Sequence, residues 1–276
     1  MEILRHLQHT LPPFAFEAIK LTMGLILLMV LFPILEKILS LHRQKTFRKG
    51  FATDLAYYYI SSLFTPRILV IPLSTIAWGV HHLFPTQLYQ WTASLPLPIR
   101  FGAALIVGEV GFYWGHRCMH KIPYLWRFHA VHHSAEQLDW LVNTRAHPLD
   151  MVIIRLFGLI PIYLLGLAQP MVNQVDLVPL VMALVSNLWG YFIHSNVNFR
   201  LGLLETLIAT PAFHHWHHTN DEPQFVNKNY AALFPWMDKL FGTYYLPKTH
   251  RPKRYGINEA MTPNIILQLL YPFFGK

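Results

Sequence analysis

The chain has one cysteine and few charged residues, and these two shortages exclude several classes of protein. A single cysteine, Cys118, cannot form an intrachain disulfide or a cysteine-based metal site. Charged residues make up 13% of the 276 residues and hydrophobic residues 53%, whereas soluble domains carry about 25% charged residues. This composition, together with a mean hydropathy of +0.31, is typical of an integral membrane protein.

The formal net charge of +8 does not indicate a nucleic-acid-binding protein. The basic residues form no stripe interleaved with aromatic residues, which is the pattern that a nucleic-acid surface requires. They are concentrated instead at the ends of apolar runs, as membrane topology produces. We therefore expect no nucleic-acid partner.

Apolar runs predict an all-α, polytopic membrane protein with four to five transmembrane helices. They lie at residues 14–39, 55–80, 99–115, 149–168 and 172–193. The last two are joined by a short turn at residues 169–173 and are expected to form a hairpin. The apolar tail at residues 263–274 is too short to cross a bilayer and predicts an interfacial helix.

The distribution of lysine and arginine orients these spans. The loop at residues 42–50 carries four basic residues, whereas the loop at residues 81–98 carries none. By the positive-inside rule the first loop is cytoplasmic and the second lies on the opposite side. The third and fifth spans then end on the cytoplasmic side, next to His116 and His194. We therefore expect a cytosolic, histidine-rich helical cap.

Eleven of the 17 histidines lie between residues 116 and 218, and their spacing is helical. Intervals of three and four residues place side chains on one helix face, about 5–6 Å apart at Cβ. The pattern gives three groups, which are His116 and His120, then His129, His132 and His133, then His214, His217 and His218. Imidazole binds zinc, iron, copper and nickel, and a mononuclear site takes three or four side chains. Eight histidines therefore predict two metal ions.

The motifs that contain these histidines follow one another in a recognisable order over roughly residues 99–248. They are HRCMH, LWRFHAVHHS, RAHPLD, HHWHH, NYA and WMDKLFGTYYLP. As a set they resemble the fatty acid hydroxylase / sterol desaturase superfamily of membrane di-iron oxygenases. The resemblance implies a membrane-embedded helical fold with a cytosolic cap. It also implies a histidine-bound di-metal centre and O2-dependent hydroxylation or desaturation of a lipid.

The resemblance also implies a ligand set. The ligands would be His116, His120, His129, His132, His133, His214, His217 and His218, with His194 in YFIHSN as an additional one. Some family members have a further histidine four residues earlier, where this chain has Gly190. His147 is then either a tenth ligand or a residue that fixes the loop beside Pro148. His215 lies off the shared helix face and is expected to support the ligands without binding metal.

Three polar residues are candidates to orient the ligands, because a metal-bound histidine usually donates its other N–H to a carboxylate or carbonyl. Glu109 is a charged residue inside the third span, on the same helix face as His116. Asp238 and Asn229 match family positions, although Asp238 alternatively caps a helix or forms a surface ion pair. Asp150 and Arg155 are expected to pair with each other at the membrane interface.

The resemblance implies two iron ions, with zinc as a substitute in recombinant preparations, and O2 as co-substrate. The substrate would be a lipid from the bilayer, of the fatty acyl, sterol or a related class. No cytochrome-like or dinucleotide-binding segment is visible, so a separate ferredoxin, cytochrome or reductase would supply electrons. We divide the chain into N-terminal spans (1–98), the catalytic region (99–250) and an apolar tail (251–276), as one integrated domain.

Two other functions remain open at this stage. A zinc-dependent membrane hydrolase would use clustered histidines, but the chain contains no H-E-x-x-H motif. A non-enzymatic metal transporter should carry its ligands inside the spans near the bilayer midplane. The histidine groups lie instead beyond the ends of the predicted spans, which favours the oxygenase.

Overall fold

The computed structural model describes residues 8–83, 86–168 and 176–274, in which the regular structure is helical. β-Pairing within these residues is limited to two isolated bridges, Ser40–Val197 and Thr219–Tyr255. The all-α fold class expected from the sequence is therefore confirmed. The predicted turn at residues 169–173 lies outside the described residues.

Ten named helices follow one another along the described residues. They are α1 (Pro13–Ile38), α2 (Phe51–Leu83), α3 (Thr86–Ser94), α4 (Leu97–Lys121), α5 (Pro123–His133), α6 (Pro148–Leu164), α7 (Leu177–His194), α8 (Pro211–His217), α9 (Trp236–Leu240) and α10 (Ile265–Phe274). Short 3₁₀ helices occur at Trp140–Thr144 and Gly202–Thr206. Five of these helices, α1, α4, α5, α6 and α8, have a proline in their first two positions. Proline suits that position because the first N–H of a helix has no intrahelical partner.

Three of the described helical segments are long and apolar enough to cross a membrane, namely Pro13–Ile38, Phe51–Val80 and Leu177–His194. Helices α3 and α4 form a fourth span if they are counted together, although they are bent by 118°. The polytopic architecture is thus confirmed, with three candidate spans, or four if α3 and α4 count as one, against the four to five expected. The count is lower because α6 has only 17 residues and ends before Gly166, whose φ of 66° breaks the helix.

Two boundaries differ from the sequence prediction, both around the third span. The predicted loop at residues 81–98 contains α3, and α2 continues to Leu83. Helix α4 does not end at residue 115 but runs to Lys121 and therefore carries His116 and His120 itself. The apolar pattern stops at residue 115, whereas helical backbone continues until Pro123 starts the next helix.

Helices α4 and α6 approach closely along a seam of glycines. A Cβ atom added to Gly111 would lie 2.1 Å from the carbonyl oxygen of Phe157, and one added to Gly158 would lie 3.0 Å from the carbonyl oxygen of Gly108. Small residues at a helix interface let two backbones come together in this way. The seam fixes the end of α4 that carries His116 relative to the start of α6.

We expect Gly111→Ala to destabilise the protein by about 1–3 kcal/mol, which is the usual cost of overpacking a tight contact. The added methyl group forces α4 away from α6, because the atom it meets is backbone and cannot rotate aside. Thermal unfolding in detergent measures the effect. Gly102→Ala in the same helix is the control, since no described heavy atom lies within 4 Å of its Cβ position. Equal unfolding temperatures for the two variants would show that the seam is not tight.

Candidate metal centre

Four helices bring nine histidines together at one end of the bundle. Helix α4 carries His116 and His120 in its last turns, α5 carries His129, His132 and His133, and α7 ends at His194. Helix α8 carries His214 and His217, and His218 is its C-cap. All nine side chains are buried except that of His120, which is partly exposed.

The nine histidines form two clusters that differ from the three groups in the sequence. Cluster A consists of His116, His120, His129, His133 and His217, and cluster B consists of His132, His194, His214 and His218. In each cluster the ligand atoms, one from every side chain, lie within 4.8 Å of one another. The clusters are adjacent, because the rings of His133 and His218 stack with centroids 4.4 Å apart.

Helical spacing divides the histidines between the clusters. On α5, His129 and His133 are four residues apart and both face cluster A, whereas His132 faces cluster B. On α8 the arrangement is reversed, since His214 and His218 face cluster B and His217 faces cluster A. Residues four apart share a helix face, so each helix supplies a pair to one cluster and a single ligand to the other.

The distances between ring nitrogens fit a bound metal ion. Nε2 atoms lie 3.0 Å apart in His116 and His129, 3.1 Å apart in His133 and His217, and 3.0 Å apart in His194 and His214. A metal–nitrogen bond of about 2.0–2.1 Å places neighbouring ligand nitrogens about 3.0–3.4 Å apart. The buried Nε2 of His120 has no hydrogen-bond partner among the described residues. The donor set therefore fits two metal ions.

Oxygen atoms on the far side of the rings fix which nitrogen carries the proton. The Nδ1 atoms of six ligands lie 2.7–3.1 Å from an oxygen, in the pairs His116–Tyr230 O, His120–Asn227 Oδ1, His129–Asp150 Oδ1, His132–Arg145 O, His194–Gly190 O and His217–Lys228 O. These oxygens accept a hydrogen bond, so Nδ1 carries the proton and donates it. The lone pair of Nε2 is then free to bind metal.

Burial keeps these imidazoles in the neutral form that binds metal. Desolvation lowers the pKa of His129 to about 3 and, as the largest of several causes, lowers that of His132 to about 4. A buried cation is disfavoured in a low-dielectric site, and here several neighbouring rings would also repel it. Neither ring is protonated at neutral pH, so metal does not have to displace a proton from Nε2.

His147, predicted as a possible tenth ligand, lies outside both clusters. Its Nδ1 accepts a hydrogen bond from the backbone N–H of Leu149 at 3.1 Å, which makes it the N-cap of α6. Its Nε2 lies 3.2 Å from the carbonyl oxygen of Leu269 in α10. Both ring nitrogens bond backbone groups, which favours the alternative that His147 fixes the loop beside Pro148.

Two further positions bear on the ligand count. His215 lies outside the clusters, as expected from its position off the shared face, with Nδ1 3.1 Å from the Tyr255 hydroxyl and Nε2 3.0 Å from Ser195 O. At Gly190, a Cβ atom would lie 2.4 Å from Oδ1 of Asn143. The side chain of Asn143 thus fills the space that a side chain at position 190 would need.

Asp150 has a different partner from the one predicted. Its Oδ1 lies 2.9 Å from Nδ1 of His129, and the residue is 2% exposed. The expected pair with Arg155 does not form, because residues five apart point to different faces of a helix. The five-residue spacing could have excluded the pair with Arg155, but it does not identify His129 as the partner of Asp150.

Glu109 and Asp238 act on backbone groups rather than on the imidazoles. Glu109 Oε1 accepts from the backbone N–H of Leu233, while Asp238 accepts from those of Tyr230 and Ala231 at 2.8 and 2.9 Å. Asp238 is fully buried, so it forms no surface ion pair. Glu109 shares a helix face with His116, but seven residues separate them by about 10 Å along the axis. Its carboxylate therefore does not reach the His116 ring.

Asn229 and Asn227 shape the loop that follows α8. Both have left-handed backbone, with φ of 58° and 62°, a conformation that asparagine adopts more readily than most residues. The Asn229 side chain accepts from Tyr245 N at 2.7 Å and donates to Phe213 O at 2.9 Å. Asn229 was a candidate from the sequence, whereas Asn227, whose side chain contacts His120, was not.

An open cleft of about 480 Å³ leads to cluster A. Three ligands, His120, His133 and His217, form part of its lining. The remaining walls come from Trp126, the segments 219–227 and 256–259, and Tyr271 of α10. Part of cluster A therefore borders an open cleft.

Fold and site together define a polytopic, helical membrane protein with a histidine-rich site that can hold metal ions. The fatty acid hydroxylase family model matches residues 101–243, which is slightly more than half of the chain. The chain belongs to the fatty acid hydroxylase family, as its motifs predicted. The matched region contains all nine clustered histidines.

Curated relatives of the chain are named as lipid hydroxylases and monooxygenases. The ornithine lipid hydroxylase OlsE of Rhizobium tropici is 34% identical over 187 residues, which is 67% of this chain and 54% of that protein. The alkylglycerol monooxygenase of Homo sapiens is 31% identical over 147 residues, or 53% of this chain and 31% of that protein. A putative methylsterol monooxygenase of Dictyostelium discoideum is 26% identical over 178 residues, which is 61% of this chain and 62% of that protein. The chain thus spans about half of the hydroxylase and a third of the alkylglycerol enzyme, and no solved structure matches it significantly.

Proposed function

We propose that the protein is a membrane-bound oxidoreductase that uses O2 to hydroxylate or desaturate a C–H bond of a lipid. The observation that carries the proposal is the convergence of nine imidazoles into two adjacent clusters. We assign one iron ion to cluster A and one to cluster B. When bound, the iron ions would supply the activation of O2. The names of the relatives support a lipid as the substrate.

The protein's own contribution is to hold neutral ligands in fixed orientations. Backbone carbonyls accept from the Nδ1 groups of His116, His194 and His217, and these hydrogen bonds hold the rings in their orientation toward the clusters. Asp150 holds His129 in the same way and adds a negative charge beside cluster A. Such outer partners raise the basicity of the ligands and tune the metal.

We place the lipid substrate in the cleft beside cluster A. Helix α10 forms one wall, and its outer face exposes Ile266, Leu270 and Phe274, which are 67%, 42% and 78% accessible. A short helix with an exposed apolar face is suited to the membrane interface. A lipid at that interface reaches the cleft along α10, and its reacting carbon approaches the histidines from the membrane surface.

The orientation and the electron supply are part of the same proposal. The basic loop at residues 42–50 supports a cytoplasmic location for the metal centre. A separate ferredoxin, cytochrome or reductase then delivers electrons from the cytoplasm.

Lipid analysis with isotopically labelled O2 tests the proposed reaction. Cells that express the protein should contain a lipid alcohol that carries the labelled oxygen, or an unsaturated lipid formed by the loss of two hydrogen atoms from the substrate. Cells that express His132→Ala at the same level should contain neither product. Incorporation of oxygen from labelled water instead would indicate a hydrolase. Metal uptake into vesicles without any change in lipids would indicate a transporter.

A further inference from the structure

Four charged residues outside the ligand set are buried together next to cluster B. They are Arg48, Asp54, Asp139 and Arg145, with exposures of 6%, 0%, 3% and 6%. Arg48 Nη2 donates to Asp54 Oδ2 and to Asp139 Oδ1, each at 2.7 Å, and Arg145 Nε donates to Asp54 Oδ1. We call this set the ion network. Its two positive and two negative charges balance.

The ion network is joined to cluster B through the main chain of Arg145. The carbonyl oxygen of Arg145 accepts from Nδ1 of His132 at 3.0 Å, and Nε2 of His132 lies 3.2 Å from Nε2 of His194. The guanidinium group of Arg145 also donates to Ser134 Oγ at 3.3 Å, two residues beyond His132. The side chain of Arg145 is therefore anchored on Asp54 while its carbonyl orients a ligand.

The contacts of cluster A are independent of the ion network. The four Nδ1 partners of its ligands come from Asp150 and from the segment 227–230. None of these hydrogen bonds involves Arg48, Asp54 or Arg145. A change in the ion network therefore reaches cluster B directly and cluster A only through the shared helix α5.

The burial of four charges has no obvious value for stability alone. Removing charges from water costs free energy that the ion pairs only partly recover, so such networks are weak evidence of a stabilising role. A network that fixes the geometry of a neighbouring site explains their retention better. Asp139 supports this reading, since its Oδ1 also accepts from Leu141 N at 3.0 Å and caps the 3₁₀ helix that precedes Arg145.

We propose that the ion network is a positioning device for cluster B. By anchoring Arg145 it holds the carbonyl that orients His132, so the segment 48–54 controls whether cluster B retains its metal. That segment lies outside residues 101–243, the part of the chain that the family model matches. The proposal rests on the proposed function, in which each cluster holds one iron ion.

Iron analysis of Asp54→Asn tests the proposal. We expect purified, iron-loaded wild-type protein to hold two iron ions per chain and the variant to hold close to one after desalting. The affinity for the second ion should fall about 10–100-fold, the range for loss of an outer partner. The remaining iron should give the electron paramagnetic resonance signal of an isolated ferric ion, as in His132→Ala. Glu136→Gln is the matched control. It removes the exposed Lys49–Glu136 ion pair, which joins the same parts of the chain as the buried Arg48–Asp139 pair.

A second variant separates positioning from folding. Asp54→Asn combined with Arg145→Gln removes one charge of each sign, so the buried network stays neutral and the main chain of Arg145 remains. We expect this double variant to fold and to lose the same iron ion. Two iron ions in both variants would overturn the proposal. Equal loss of iron from both clusters, or failure of both variants to fold, would also overturn the proposal. Either result would mean that the ion network contributes to general stability. Fewer than two iron ions in the wild type would instead refute the proposed function.

Discussion

His217→Ala is expected to lose iron from cluster A and to abolish lipid oxidation, whereas His147→Asn is expected to retain both. His217 is one of the five histidines of cluster A, and its Nε2 lies 3.1 Å from that of His133. Loss of a direct ligand should lower metal affinity by more than about 100-fold, the upper limit for loss of an outer partner. His147 binds backbone groups only, and asparagine can replace it as an N-cap.

Each variant has one imidazole fewer than the wild-type protein. A difference in iron content between them therefore reports the position of the lost imidazole and not the number of imidazoles. Iron per chain and the yield of oxidised lipid measure the outcome. Wild-type iron content and turnover in His217→Ala would refute the ligand assignment. Loss of iron from His147→Asn would restore His147 as a tenth ligand and contradict the geometry of the N-cap.

Asp238→Ala is expected to destabilise the protein by about 3 kcal/mol or more. The change leaves two buried backbone donors, Tyr230 N and Ala231 N, without an acceptor, and it also removes one partner of the Thr243 hydroxyl. Each unsatisfied donor costs about 1–3 kcal/mol. The carbonyl of Tyr230 would also move, and this group accepts from Nδ1 of His116. We therefore expect iron to be lost from cluster A in any protein that still folds.

Chemical unfolding in detergent measures this effect, with Asp221→Ala as the matched control. Asp221 also accepts from two backbone N–H groups, those of Lys253 and Arg254. It lies at the rim of the cleft, where water can replace the carboxylate, so a small loss of stability is expected. Similar losses in the two variants would show that Asp238 does not organise the loop beside His116.

Helical spacing predicted which histidines of one helix lie near one another. It did not predict how histidines from different helices combine into clusters. It placed His129, His132 and His133 near one face, and all three are indeed buried in the metal centre. It did not predict that His132 belongs to a different cluster from His129 and His133. His132 and His133 lie on opposite sides of His129 around the helix, and spacing alone does not say what each side meets. Which side meets which neighbouring helix depends on packing, such as the glycine seam between α4 and α6.

The groups that orient the ligands were less accessible from the sequence. The carbonyl oxygens of Lys228, Tyr230 and Gly190 could not be identified, because every residue has a carbonyl and only the fold selects three of them. Charged residues far apart in the sequence, such as Asp54 and Arg145, were equally hidden. Asp150 was assigned to a pair with Arg155, which the five-residue interval could have excluded, and its contact with His129 depends on the packing of two helices.

Anomalous diffraction at the iron edge, from crystals of the iron-loaded protein, tests the central claim most directly. We predict two separate iron peaks. One should lie among the Nε2 atoms of His116, His120, His129, His133 and His217, and the other among those of His132, His194, His214 and His218. A single peak, no peak, or peaks outside these two sets of nitrogens would contradict the account.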